Sequence, residues 1–512
     1  MRRNGSTDIA GCGTLLAATA RVVGARKHWS FERSTRPAEG ETIQVEVGRY
    51  PGLSCAAHTG VDRGARRWNL LGIYRGSLLL TSAILAALCL ATLGRAHTAT
   101  PASVEPGGTR VELVYASPAA LRDALRLHPA VVIRLLTPLK VAEVRPAGNT
   151  RAFIRAIGQM PGISAVRPVI GQTAADDPGP TLQPSAMQMG SYEWQYHATG
   201  VDRVPTAILS AARTITIAVI DTGADLTAPD LIGHIAGAYD IRSGSRNVTD
   251  TNGHGTFVAS IAGGSARNGA LVAGFGGEAR LLIVKAADSA GLTDIDIAAG
   301  ILYAVRHGSR IINLSFAGQT PSTVEASAVA YAAKRGILLV AAAGNDALAG
   351  NPTEYPAAYL QPIGSNGLGG SGLVVAASGN EGKRALFSEF GSFVSLAAPG
   401  ASVFGAVSAR SSTTAYPRST LGAPGVVGLY GYASGTSFAA PQVSGAAALV
   451  WAANPTLSAR QVADVLKQTA SGRGSWTPGL GFGVIDVAAA VARATDIANP
   501  LPQTPLLAAA NG

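Results

Sequence analysis

Apolar and polar positions follow two different periods along this chain. Short runs of β-branched and aliphatic residues at 215–220, 281–285, 311–315, 337–342 and 373–376 carry little polar alternation. They read as strands buried on both faces, the habit of a parallel sheet. Between and after them, residues 255–263, 294–306, 322–334 and 438–453 keep apolar residues at helical spacing, the last stopping at Asn454-Pro455. Strand and helix in alternation predict an α/β fold: a doubly wound, mostly parallel central sheet with helices on both faces. Residues 104–172 are organised differently. Strands at 110–115, 131–136 and 164–170 and helices at 118–126 and 150–159 predict a small α+β domain ahead of the main one.

The flanking stretches are less regular. Residues 1–60 show no sustained period and are rich in Arg, Gly and Thr. Arg63, Arg66, Arg67 and Arg75 then precede an apolar run, 78–93, which opens on Leu78, closes on Leu93 and is followed by Gly94-Arg-Ala96. A basic stretch, an apolar stretch and small residues make the layout of a secretory signal at 61–96. Its depth in the chain is explained if translation begins near Val61 and residues 1–60 are not made. The alternative is an uncleaved membrane anchor, because a run of this length sits at the lower limit for spanning a bilayer. Residues 173–190, with their aspartates and prolines, read as an exposed linker open to processing. Residues 405–432 read as a Ser/Gly/Pro-rich surface insertion and 496–512 as a disordered Pro/Ala tail.

Three stretches carry candidate chemistry. Gly435-Thr-Ser-Phe-Ala-Ala-Pro441 puts Ser437 at a helix N-terminus, where free N–H groups favour negative charge. A serine there is either an N-cap or a nucleophile whose own N–H faces the oxyanion formed on attack at a carbonyl. The run from Ile215 ends in Asp221-Thr-Gly223, which sets a carboxylate at the end of a buried strand. In Asp250-Thr-Asn-Gly-His-Gly-Thr256, His254 lies between two glycines, so backbone can pack on both sides of its ring. A hydroxyl needs a base within reach, an imidazole can take and return its proton, and a carboxylate can orient that imidazole.

The order Asp221, His254, Ser437 and the residues around each resemble the motifs of the subtilase family, the subtilisin-like serine proteases. The resemblance runs from Tyr192-Glu-Trp-Gln-Tyr-His to about Ala494 and includes Phe387-Ser-Glu-Phe-Gly391 and Ala397-Ala-Pro-Gly400. It implies a catalytic domain at 191–495, a secreted serine endopeptidase, and an Asp221-His254-Ser437 triad working through an acyl-enzyme. The second histidine that the family often carries after His-Gly-Thr is Phe257 here. Ala341-Ala-Ala-Gly-Asn345 resembles the segment that supplies an oxyanion-binding amide, which implies Asn345 beside the Ser437 N–H. The pocket for the residue before the cut would be walled by Leu314, Ser315, Phe316 and Ala317 and by Ala342, Ala343 and Gly344. Glu354, just before Tyr355-Pro356, occupies a pocket-floor position that is usually small. A buried carboxylate there would favour Arg or Lys, whereas a Glu354 turned to solvent would leave an apolar preference. Met160-Pro-Gly-Ile-Ser-Ala-Val-Arg-Pro168 resembles the end of a subtilase propeptide, so 104–172 would be an intramolecular inhibitor of an autoprocessed zymogen. Partners are then protein or peptide substrates and the chain's own propeptide. Membrane contact follows only if 78–93 is an uncleaved anchor.

Composition narrows the alternatives. The net charge of +10 suggests a polyanion partner, but residues 185–512 hold 19 Lys and Arg against 19 Asp and Glu. The basic surplus lies ahead of the catalytic stretch, so no nucleic-acid partner is expected. Cys12, Cys55 and Cys89 all precede it too, which excludes a disulfide or thiolate metal site within it. No cofactor is required. Calcium is common in the family, but no loop dense in carboxylates marks a place for it, and Asp294-Ile-Asp296 and Asp225/Asp230 read as a helix start and a turn. Two rivals remain. One is a catalytically silent, subtilase-like binding scaffold, which would be expected to lack a triad member. The other is a dinucleotide enzyme prompted by Gly367-Leu-Gly-Gly-Ser-Gly372, which stands before a strand where the fingerprint needs to follow one.

Overall fold

The computed structural model of the chain describes residues 110–174, 193–264, 272–288, 291–411 and 429–498. The apolar run 78–93, residues 1–60, positions 175–190 of the linker and the tail beyond 498 lie outside the described residues. So does 412–428 of the expected insertion.

The first sheet is small and antiparallel. Strands β1 (Val111–Tyr115), β2 (Ala130–Leu136), β3 (Val141–Pro146) and β4 (Ile163–Pro168) pair in the order β2-β3-β1-β4. Helices Pro118–Leu127 and Thr150–Ile157 cover one face, capped by Ser117 and Asn149, whose side chains accept from Ala120 N and Ala152 N. The two-residue period of β1 assigns its faces. Val111, Leu113 and Tyr115 pack with Leu121, Phe153 and Ile157 under these helices. Val114 faces the other way, toward the main body of the chain.

Seven parallel strands form the main sheet. They are β6 (Thr216–Asp221), β7 (Ile235–Asp240), β8 (Arg280–Lys285), and, beyond the two-residue β9 (Leu292–Thr293), β10 (Ile311–Leu314). After the two-residue β11 (Phe316–Ala317) come β12 (Leu338–Ala342), β13 (Gly372–Ser378) and β14 (Leu396–Pro399). Their order is β14-β13-β12-β10-β6-β8-β7, every pairing parallel. Alternate residues of β6 divide two cores. Ile217 and Val219 pack with helices His254–Gly263 and Thr436–Ala453, and Ala218 and Ile220 with helices Asp294–Arg306 and Thr323–Lys334. This is the doubly wound arrangement expected from the sequence. Strand order reverses between β6 and β10, so their carboxyl ends open the crevice where such sheets hold their sites.

Two expected loops are partly strand. Residues 405–432 were expected to be surface insertion, yet β15 (Val403–Ala406) and β16 (Tyr430–Ala433) form an antiparallel hairpin. Phe404, Ala406 and Tyr430 are buried against Val272. The small polar residues that suggest a loop lie mostly between the strands, and tertiary packing orders the ends. Thr173 and Ala174, expected to open an exposed linker, belong to β5 (Gly171–Ala174). Helix Val487–Ala498 also runs into the start of the expected tail. Among the described residues, no helix is long and apolar enough to cross a membrane.

Candidate active site

Asp221 is the last residue of β6, and His254 the first of the helix that packs on that strand. Asp221 Oδ1 lies 2.8 Å from His254 Nδ1, with the imidazole fully buried. Neighbouring groups hold the pair. Thr222 N donates to Asp221 Oδ1 at 2.7 Å, and Thr222 Oγ1 accepts from Gly255 N at 2.9 Å. Buried Asp250 gathers the loop before the histidine, accepting from Gly253 N, Thr256 N, Thr256 Oγ1 and Thr222 Oγ1 at 2.6–2.9 Å. Position 255 must be glycine, because a Cβ there would stand 2.1 Å from Gly223 O.

Ser437 is the second residue of helix Thr436–Ala453, next to Phe438, whose ring centroid lies 5.5 Å from that of His254. Its Oγ donates to Ser315 O at 3.2 Å. Ser315 Oγ in turn donates to Ser437 O at 2.8 Å and accepts from Asn313 Nδ2 at 2.8 Å. The helix N-terminus is thus tied to the corner between β10 and β11. Asn345 follows β12. Its Oδ1 accepts from Thr436 N at 2.9 Å and Thr436 Oγ1 at 3.0 Å, which fixes the amide, and its Nδ2 lies 3.3 Å from where a Cβ on Gly435 would stand. Asp221, His254, Ser437 and Asn345, separate in sequence, therefore gather at the carboxyl ends of β6, β10 and β12.

The expected pocket walls sit where β10 and β12 end. The side chains of Leu314, Phe316 and Ala343 belong to the core beneath the 294–306 and 323–334 helices, and that of Ala342 to the opposite core. These positions, like Gly344, can line a cleft only with backbone, and the Gly344 N–H donates to Thr436 Oγ1 at 3.2 Å. Ala317 of β11 pairs with Thr173 and Phe316 with Ala174, while Gln172 and Gly171 pair with Leu292 and Thr293 of β9. Strand β5 therefore lies antiparallel between β11 and β9. It ends one register step short of Ser315, and so points at Ser437.

Glu354 does not turn to solvent. It is 5% exposed, and its neighbour Tyr355 pairs with Gly318 through two backbone hydrogen bonds of 2.9 and 3.0 Å. Burial pushes its carboxyl up to about 8, and the nearby Asp346 adds to the rise. Glu389, within the Phe387–Gly391 phrase, is also buried, and burial with the charges of Glu354 and Asp346 pushes it up to about 9. Nothing in the residue pattern of that phrase singles out Glu389. The phrase alone carries no signal for it, since Leu386 and Phe390 beside it are exposed while Glu389 is buried. Thr436 and Asp250 likewise carry no sign of their role along the chain, because a hydrogen-bonding duty leaves no mark on periodicity. Among the described residues, no group of three or more His, Cys, Asp or Glu side chains is arranged to hold a metal ion.

The Subtilase family model matches residues 212–483. Thermitase from Thermoactinomyces vulgaris is 35% identical over 269 residues, covering 51% of this chain and 85% of that protein. A thermophilic serine proteinase from Bacillus sp. (strain AK1) is 31% identical over 338 residues, 65% of this chain and 74% of that protein. The crystal structure of fervidolysin from Fervidobacterium pennivorans, described as a keratinolytic enzyme related to subtilisin, shares the fold. Its TM-score is 0.63 at 24% identity, over 77% of this chain and 61% of that one. A family model spanning more than half the chain, two relatives above 30% identity and a shared fold lead to one conclusion: the chain belongs to the subtilase family of subtilisin-like serine proteases.

Proposed function

We propose that the chain is an exported endopeptidase in which Ser437 is the nucleophile, His254 the general base and Asp221 the group that orients it. The observation that carries this reading is the buried 2.8 Å contact of Asp221 with His254 Nδ1, which leaves the far ring nitrogen to exchange protons with Ser437. Ser437 Oγ attacks the scissile carbonyl as its proton passes to His254. The oxyanion is met by Ser437 N–H and Asn345 Nδ2, whose orientation Thr436 maintains. The tetrahedral species collapses, His254 returns the proton to the departing amine, and an ester to Ser437 remains. Water, deprotonated by His254, then hydrolyses that ester. The reaction as proposed uses side chains and backbone alone, and calcium is given no residues.

We further read residues 104–172 as a propeptide whose exit strand β5 occupies the substrate groove until processing. Its antiparallel pairing between β11 and β9 supports this, since an extended substrate would use the same two edges. Export rests on the signal-like stretch before residue 97, and the N-terminal sequence of secreted product tests it. Labelling with a serine-directed fluorophosphonate tests the core of the proposal. Wild-type protein should be labelled and Ser437→Ala should not; equal labelling of both would remove Ser437 from the chemistry, and no labelling of either would favour a silent scaffold.

A further inference from the structure

Two buried carboxylates, Glu354 and Glu389, converge against Gly344. A Cβ on Gly344 would stand 2.3 Å from Glu354 Oε2 and 2.7 Å from Glu389 Oε2, so both acids lie against the backbone one residue before Asn345. Their segments are anchored: Glu389 N donates to Gly344 O at 3.0 Å, and Tyr355 is paired with Gly318, the residue after β11. Glu389 is 0% exposed, and neither of its oxygens has a hydrogen-bond partner; Glu354 Oε2 has none either. Among the described residues, no Lys, Arg or His forms a salt bridge with either acid. Glu354 hydrogen-bonds to Asp346, itself an acid, so fold stability alone gives no reason to bury such a pair without a cationic partner. Gly344 has φ +117°, so a side chain here would be strained as well as obstructed, and the two acids occupy the space that side chain would fill.

The geometry points to a specificity pocket in which Glu354 and Glu389 together receive the guanidinium of an arginine preceding the scissile bond. Arginine fits better than lysine, since its planar fork presents several N–H donors to two carboxylates at once, whereas an ammonium is a point charge. The inference rests on the protease reading above and adds its substrate class. The acids lie beside the residue that precedes Asn345, and β5 approaches the same place along β11, so the pocket is within a side chain's length of the bond to be cut.

The test uses the processed enzyme, titrated with fluorophosphonate so that rates refer to competent sites. It compares otherwise identical peptides with arginine, citrulline, lysine or leucine before the scissile bond; citrulline keeps the shape of arginine and removes the charge. Arginine should exceed citrulline in kcat/KM by on the order of a hundredfold, with lysine between them. In Glu354→Gln, Glu389→Gln and the double variant, the arginine-to-citrulline ratio should collapse toward one. Wild-type enzyme cutting citrulline or leucine as fast as arginine would overturn the inference and leave the protease reading intact, as would a ratio unmoved in the double variant. Labelling without cleavage of any peptide would overturn it too, and absence of labelling would remove the protease reading with it.

Discussion

Asn345 shows how little of a side chain's task is visible without its neighbours. Thr436 holds the amide oxygen with both N–H and hydroxyl, so the nitrogen is turned toward the serine. Asn345→Ala should therefore lower kcat by about a hundred- to a thousandfold while leaving the melting temperature close to wild type. Thr436→Val should lose part of that factor by releasing the amide, without removing the donor. Steady-state kinetics with calorimetry check both. Glu354 carries the opposite signature, one of stability. Its carboxyl titrates near 8 in the folded chain against an ordinary value of 4.5, with Asp346 and Glu389 facing it. The folded form thus holds the proton more tightly than the unfolded form. The stability this contributes is present in full below about 4.5 and is lost as pH rises through 8. In a Ser437→Ala background that prevents self-digestion, Glu354→Gln should raise the melting temperature at pH 8 and change it little at pH 4. Equal shifts at both would contradict the assignment.

Elements decide which segment enters the groove. Strand β5 is short, yet it is paired on both edges and held by a side chain: Gln172 Nε2 donates to Glu325 Oε2 at 2.6 Å. Glu325 caps nothing in solvent. It lies buried in the first turn of helix Thr323–Lys334, where burial pushes its carboxyl up to about 8. Gln172→Leu would remove the donor from this buried acid and loosen β5. The precursor should then convert to mature enzyme several-fold faster, as followed by loss of the precursor band. The register gives a second expectation. Because β5 ends one step short of Ser315, the first cut should fall within a residue or two of Ala174. Sequencing the new N-terminus measures this, and a start beyond residue 180 would contradict it.

At the scale of the whole molecule, the small α+β unit sits on the helical face of the main sheet through charge as well as apolar contact. Arg134 Nη1 reaches Asp296 Oδ1 at 2.9 Å, and Arg167 Nη2 reaches Asp294 Oδ2 at 3.3 Å and Ser322 Oγ at 2.7 Å. Arg167 also pairs with Glu112 of β1, and Arg110 with Glu143 of β3. Asp294 and Asp296 lie in the first turn of their helix, where the dipole adds to their hold. Buried pairs like these lose more when one partner is removed than their formation contributes, because the other charge is stranded. Arg167→Ala should weaken docking enough to raise the activity that leaks from uncut precursor. Assay of a precursor blocked at its processing bond checks this.

Much of this was legible along the chain. Asp221, His254 and Ser437 stand out because each ends or opens a regular element at a glycine-marked turn, and such turns are written locally. Five of the seven parallel strands are legible because burial on both faces leaves an unbroken apolar run; β7, only partly buried, and the four-residue β14 are not. The β15–β16 hairpin, the pairing of Thr173 and Ala174, and the meeting of Glu354 with Glu389 were not. A strand made by two edges already waiting, or a carboxylate turned inward by a partner 35 positions away, follows from which surfaces meet, and no local period records that. The sequence by itself determined most of the buried elements and the order of the candidate groups. The tertiary structure alone decided which backbone edges face the groove and which acids are kept from water, since both depend on distances between segments that composition and periodicity do not encode.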